Sequence, residues 1–413
     1  MKSSLRVVVI IVTLLVASSI TAAAQSRSAT TNFTVLHAFV GGNDGESPYA
    51  GLIFDSAGNL YGTTLEGGAP TGCCGTIFKI TPGGNESILH SFGTGTDGKY
   101  PYGGLLLDSA GNLYGTTNGG GTSGSACNNY GCGTVFVLSP NGKEKVLYNF
   151  TGGADGASPD AALTRGLDGR FYSTTYLGGI YDWGTVFAVD TKGTETVVHD
   201  FNGADSDGGD VYGGLISDAA GNFYGMTFGG DNPACLPGFD LGCGVIYKVT
   251  ETGQETVLYA FTGQKDGFWP AGGLVSDSAG NLYGTAQGEG TGYPSRFGSI
   301  FKLAPNGKLT VLHRFSGGAG GADPWAGLVR DAAGNLYGTT SNGGNTSCYD
   351  GCGTVFALSP TGRFSILHHF TGGEDGANPE GTLLLDPAGN IYGTASDGGA
   401  SREGVVFKIT ITP

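Results

Sequence analysis

The chain is 413 residues long, with 80 glycines, only 16 prolines and 39% apolar residues. Glycine far above its ordinary share of about 7%, without a three-residue period, excludes collagen, and the apolar content excludes a disordered chain. Twenty Lys and Arg against 35 Asp and Glu give a net charge of −15. No basic surplus exists to neutralise phosphates, so nucleic acid and anionic membranes are excluded as partners.

Lys2 and Arg6 precede an apolar run from Val7 to Ala17, and Ala22, Ala23 and Ala24 stand ahead of Gln25. A charged start, a short apolar stretch and small residues at a cleavage point are the parts of a secretory signal. The run is short for the roughly 20 residues of a membrane span. Residues 1–24 are read as that signal, and 25–413 as one domain. The expected location is secreted, either extracellular or periplasmic, with no membrane attachment after cleavage.

The mature part opens on Val35-Leu36-His37-Ala38-Phe39 and then repeats one unit. Its first strand is Gly51-Leu52-Ile53-Phe54, and its second runs from Leu60 to Thr64. The third runs from Thr76 to Ile80 and the fourth from Ser87 to Phe92. β-Branched and aromatic residues fill these segments, and Gly, Asn, Asp and Pro separate them. The tyrosine of Leu60-Tyr61-Gly62 returns as Tyr114, Tyr172, Tyr224, Tyr283, Tyr337 and Tyr392, at intervals of 52 to 59 residues. Seven units of four strands, with no sustained helical period, predict an all-β fold, a seven-bladed β-propeller. The chain starts on a fourth-strand signature, and its last unit stops at a third-strand signature around Phe407. The N-terminal strand is therefore expected to complete the last blade, closing the ring and removing free edges.

The unit Asp-x-Ala-Gly-Asn-Leu-Tyr-Gly-Thr-Thr, then Gly-Gly, Gly-Thr-Val-Phe and Val-Leu-His-x-Phe, resembles the GloVer-type tandem repeat over the whole mature chain. The resemblance implies an exported bacterial propeller and little about activity. Proteins with this repeat carry various C-terminal anchors. This chain shows no such anchor, so release is expected rather than surface attachment. The third unit departs from the pattern: Gly166 replaces the turn aspartate, and Ser173 the glycine after Tyr172.

In a propeller the loops between strands one and two, and between three and four, share one face. Here they are tight turns such as Asp55-Ser56-Ala57-Gly58-Asn59, in which the aspartate caps the backbone. Asp55, Asp108, Asp218, Asp277, Asp331 and Asp386 are read as structural. The opposite face holds the longer second-to-third loops and the blade crossings, where binding residues of a rigid scaffold usually sit. The position just ahead of each inner strand is Tyr49, Tyr102, Asp160, Tyr212, Ala271, Trp325 and Glu380, a ring expected around the mouth of the central channel. Aromatic faces beside carboxylates suit a sugar, which has apolar C–H faces and many hydroxyls. Mutual packing of the aromatics is the competing reading. Trp183, in a second-to-third loop, and Trp269, in a crossing, belong to the same face. The candidate ligand contacts are thus Tyr49, Tyr102, Tyr212, Trp325, Trp269 and Trp183.

The eight cysteines fall in the second-to-third loops as Cys73 and Cys74, Cys127 and Cys132, Cys235 and Cys243, and Cys348 and Cys352. An even count in an exported chain predicts disulfides, and blades hold their loops apart, so pairing within each loop is simplest. Cys73–Cys74 would be a vicinal bridge; zinc is the rival ligand for all four pairs. Asp205, Asp207 and Asp210 form a candidate calcium site through hard oxygen ligands, with an ordinary acidic loop as the alternative. No other cofactor is implied. Gly119 to Gly124 spells Gly-x-Gly-x-x-Gly with no helix after it, a chance match in a glycine-rich chain. His37, His90, His199, His313 and His368 share one outer-strand position on separate blades and are read as structural. The recurring Asp44, Asp97, Asp155, Asp266 and Asp375 are read as turn residues. Only His369 stands outside this pattern, which leaves no base for a serine or cysteine nucleophile.

The leading functional reading is a monomeric, secreted, non-enzymatic binding module whose partner is a polysaccharide or a cell-surface protein. A secreted glycosidase or lyase is the second reading, with Asp160 and Glu380 as its carboxylate pair across the channel. A scaffold for protein interaction is the third.

Overall fold

The computed structural model describes residues 30–412 except 69–71, 94–95, 122–126, 128–129, 204–206, 231–234, 236–241 and 289–296. The signal read over residues 1–24 and the candidate ligand Asp205 lie outside the described residues. Seven four-stranded antiparallel sheets follow one another as the blades of a β-propeller. The first blade runs from the inner strand Ile53–Phe54 through Leu60–Thr64 and Thr76–Ile80 to the outer strand Glu86–Ser91. The last blade takes Thr30–Ala38 as its outer strand, paired antiparallel with Val405–Thr412 so that Thr30 stands opposite Thr412. First and last segments thus close the ring.

The middle strands are buried on both faces, which is why they read as continuous apolar and small residues rather than as an alternation. The glycine of Leu-Tyr-Gly has a packing reason. A Cβ on Gly62 would lie 2.6 Å from the Phe78 ring, and the same close approach recurs between Gly115 and Phe136 and between Gly393 and Phe407. Cores form between blades rather than within them. Tyr172, Val186 and Phe201 of the third blade pack with Leu215, Phe223 and Tyr247 of the fourth. A β-bulge in every outer pairing, at Ile77/Phe78 in the first blade, leaves the residue before the histidine (Tyr148 or Tyr259 in two blades) unpaired; in the first blade it is Leu89, which packs into the next seam.

Buried threonines tie blades together near the axis. Thr63 Oγ1 donates to Pro101 O at 3.1 Å, Thr116 to Ala161 O at 2.9 Å and Thr285 to Ala326 O at 3.1 Å. Thr394 to Ala50 O, at 3.0 Å, joins the last blade to the first. On the tight-turn face, Asp55 accepts from the amides of Ala57 and Asn59 and from the Asn59 side chain and the Tyr61 hydroxyl. These bonds hold its carboxyl below the usual aspartate range despite partial desolvation. In the third blade, where Gly166 stands, Asp168 takes over and accepts from the Tyr172 hydroxyl at 2.9 Å. The bridges Cys73–Cys74, Cys127–Cys132, Cys235–Cys243 and Cys348–Cys352 close within single loops. Among the described residues no helix is long and apolar enough to cross a membrane.

Candidate functional site at the channel mouth

Each blade crossing turns on a non-glycine residue in the left-handed region. These residues are Ser47, Tyr100, Ser158, Asp210, Trp269, Asp323 and Asn378, with φ between 54° and 61°. Proline follows six of the seven. Such backbone costs on the order of 1–3 kcal/mol and persists only where its surroundings fix it. Here two hydrogen bonds do so. The amide of each donates to the loop of the preceding blade: Tyr100 to Cys74 O at 3.0 Å, Ser158 to Cys132 O at 2.9 Å and Asn378 to Cys352 O at 3.0 Å. The carbonyl accepts from the residue after its own blade's second strand, as Tyr100 O does from Asn118 N and Ser158 O from Tyr176 N, both at 3.0 Å. Two residues beyond each pivot lies the position ahead of the inner strand.

All seven of those positions line one cavity of about 650 Å³ on the axis. Its walls hold Tyr49, Tyr102, Asp160, Tyr212, Trp325 and Glu380, joined by Asn118 and Tyr176, and glycines and alanines of the inner strands form the rest. The aromatics both line the cavity and touch one another. Tyr49 meets Tyr102 edge-on with centroids 5.3 Å apart, Tyr176 stacks on Tyr212 at 4.4 Å, and Tyr212 meets Trp325 edge-on at 6.0 Å. Trp269 does not line the cavity. It is itself a pivot, its indole Nε1 donates to Gly242 O at 3.0 Å, and it stacks on Phe228, which in turn stacks on Trp325. Trp183 is also outside, packed against the crossing at Gly203 and Gly209, where no Cβ would fit. It stands where other blades place a disulfide.

The electrostatics of the mouth come from burial. Asp160 accepts from Asn118 Nδ2 at 2.6 Å, yet desolvation pushes its carboxyl up to about 7. Glu380 accepts from Ser396 Oγ at 3.1 Å, and burial, with Asp397 and Asp323 nearby, pushes it up to about 7 as well. Burial and the Glu380 carboxyl hold the Tyr49 hydroxyl far above its ordinary range. Among the described residues, none that lines the cavity is Lys, Arg or His. The mouth therefore offers hydroxyls, aromatic faces and two carboxyls that share their charge with protons near neutrality.

Sequence reasoning missed Asn118, Tyr176 and Ser396. All three follow a second strand directly, a position occupied around the ring by Leu65, Asn118, Tyr176, Phe228, Gln287, Ser341 and Ser396. Its variety beside the strongly repeated strand was the available signal.

The calcium candidates are placed apart in role. Asp207 gives one oxygen to His199 Nε2 at 2.6 Å and the other to Asn202 N at 2.7 Å. Asp210 is the pivot of its crossing, its carboxyl raised to about 6 by burial and by Asp182. Among the described residues they form no three-ligand group. Four of the five outer-strand histidines, read separately from the crossing aspartates in the sequence, have such an aspartate as partner. His37 meets Asp44 at 3.2 Å, His90 meets Asp97 at 3.1 Å and His368 meets Asp375 at 2.9 Å. Tyr148 and Tyr259 make the same bond to Asp155 and Asp266.

A closed seven-bladed propeller with a shaped axial mouth is the class that this geometry defines. The Gloeobacter/Verrucomicrobia repeat matches over residues 22–127, 123–347 and 235–413, and the chain belongs to that family. No curated protein matches the sequence. Among solved structures, a streptogramin B lyase is 13% identical with a TM-score of 0.57, over 92% of this chain and 98% of that one. The virginiamycin B lyase of Staphylococcus aureus has the same identity and TM-score, over 92% of this chain and 99% of its own. The extracellular domain of a one-component system of B. thetaiotaomicron is 11% identical with a TM-score of 0.54, over 91% of this chain and 40% of that one. At these identities the likeness is one of fold.

Proposed function

We propose that the chain is an exported binding propeller that takes a carbohydrate in its channel mouth. The observation that carries this reading is the axial cavity in which Tyr49, Tyr102, Tyr212 and Trp325 stand beside Asp160 and Glu380, with no basic group among the described residues of its walls. Aromatic rings take the C–H faces of a sugar, and the carboxyls and the Asn118 amide take its hydroxyls. The lack of basic groups among the described wall residues disfavours an anionic ligand. Four disulfides and the N-terminal export pattern support action outside the cytoplasm. The test is tryptophan fluorescence titrated with plant and microbial polysaccharides. A saturable shift with one polymer class, lost in Tyr102→Ala and Trp325→Ala, is the expected result. No response across the panel from folded protein overturns the reading.

One observation favours a second reading, an enzyme acting on polysaccharide. Asp160 and Glu380 are both pushed up to about 7, where a carboxyl can act as a proton donor near neutral pH. Release of reducing ends from a bound polymer, abolished by Asp160→Asn or Glu380→Gln with binding retained, would establish catalysis. Binding without product leaves the module non-enzymatic.

A further inference from the structure

Far from the channel, the rim seam between the first and second blades gathers three ligand-type side chains. His90 comes from the outer strand of the first blade, Asp97 from the crossing and Glu144 from the outer strand of the second, and their donor atoms all lie within 4.8 Å of one another. The seam between the last and first blades repeats the arrangement with His37, Asp44 and Glu86.

The carboxylates of the first seam are not satisfied by the protein. The Asp97 side chain is 6% exposed, and one of its oxygens meets His90 Nε2 at 3.1 Å. The other, Oδ1, is buried without a hydrogen-bond partner, and so is Glu144 Oε1. Each such atom has given up its hydration with no protein donor in return. Among the described residues neither carboxylate forms an ion pair with Lys or Arg.

The repeat supplies its own comparison. In two other seams the glutamate position is an aromatic residue stacked on the histidine: Phe364 on His313 with centroids 3.7 Å apart, and Phe33 on His368 at 3.8 Å. An apolar filling of the seam is thus available to this fold. The first seam instead places a second carboxylate against the histidine and aspartate; an open glutamate oxygen recurs at Glu86, Glu195 and Glu255, and what sets this seam apart is the buried Asp97 Oδ1, also without a proton to accept.

We propose that His90, Asp97 and Glu144 bind a divalent transition-metal cation, with zinc the ion best suited to the donor set. A neutral imidazole and two carboxylates give one nitrogen and two oxygen donors with a charge of −2, which a dication balances. Ligand bonds of about 2.0–2.2 Å set donors roughly 3–4 Å apart, within reach of the observed grouping by side-chain rotation. The cation would use His90 Nε2 in its deprotonated form and satisfy the open oxygens of Asp97 and Glu144. It would staple the outer strand of one blade to that of the next. The seam at His37 offers a poorer version, because Asp44 already accepts from Val40 N at 2.8 Å and is 17% exposed. The site is independent of the channel and of any ligand there.

The experiment is calorimetric titration of chelator-treated mature protein with zinc chloride, beside thermal melts with and without zinc. No cysteine thiol competes, since no cysteine is free. Saturable binding and a raised Tm are expected, with affinity lowered roughly tenfold or more in Glu144→Gln. Glu144→Phe, which copies the filling found at Phe364, is expected to fold, to lose the high-affinity site and to melt at the same temperature with or without zinc. No saturable heat from the folded protein overturns the proposal, and so does undiminished affinity in both variants.

Discussion

The amide of Ser158, held at φ 54°, donates to the carbonyl oxygen of Cys132 at 2.9 Å. Asp160 stands two residues further on, in the wall of the channel mouth. A disulfide in the second blade therefore braces the backbone that aims a carboxyl of the third. Tyr100 depends in the same way on Cys74, and Asn378, two residues before Glu380, on Cys352.

Removing one bridge should show this coupling. Cys127→Ser with Cys132→Ser opens a ring of six residues, for which chain entropy alone amounts to about 2 kcal/mol. Urea unfolding is expected to show a loss of about that size or more, because the pivot at Ser158 is released as well. A change below about 0.5 kcal/mol would mean that the loop holds its carbonyl without the bridge.

The channel carboxyls give a pH dependence of definite sign. Asp160 and Glu380 rise from ordinary values of 3.8 and 4.5 to about 7 in the folded chain. A carboxyl raised on folding contributes stability that is fully present below its unfolded value and lost as pH climbs through its folded value. The turn aspartates act oppositely: Asp277 is lowered to about 2 by Asn281 and Tyr283, so its contribution is lost only in acid. Their combined contribution should be greatest near pH 4 and decline towards pH 7. Asp160→Asn and Glu380→Gln should each flatten that decline in melts recorded across the range. An unchanged slope in both variants would show that the two groups ionise normally.

The repeat made most of the fold legible. Tyr61 and its six equivalents set the strands, and the misplaced signatures at Val35 and Phe407 foretold the closing pair Thr30–Ala38 with Val405–Thr412. The ring from Tyr49 to Glu380 was legible because it occupies a fixed offset from the inner strand. Trp183 and Trp269 were placed on the correct face but not in the cavity. A face is a property of topology, whereas pointing inward depends on the pivot geometry, and Trp269 is a pivot. The His90–Asp97 bond was hidden because its partners lie in different repeat segments. Each alone has a local explanation, as strand residue or turn residue, and the bulge at Leu89 that orients the histidine leaves no mark in the pattern.

The third blade makes a prediction against its own repeat. Asp55 and its equivalents clamp the strand tyrosine, so Gly166→Asp restores the pattern of the other units, a change that usually stabilises. Here a Cβ on Gly166 would lie 2.5 Å from Tyr172 Cε2 and 2.8 Å from Asp168 Oδ1. Tyr172 is fully buried, and its hydroxyl already donates to Asp168 at 2.9 Å and accepts from Arg170 Nη2 at 2.7 Å. The new side chain would displace a packed ring and set a second carboxylate beside the first. Gly166→Asp alone should therefore cost about 1–3 kcal/mol. Asp168→Ala alone should cost about 1–2 kcal/mol through the lost bond to Tyr172. The triple change Gly166→Asp, Asp168→Ala, Arg170→Asn rebuilds the clamp of the other blades. It should recover most of the loss, giving a favourable interaction energy of 1 kcal/mol or more between contacting sites, by rough estimate. Chemical denaturation of the single and combined variants measures it. A Gly166→Asp protein as stable as the parent would show that Tyr172 has room to move, and that the third blade departs from the repeat without structural consequence.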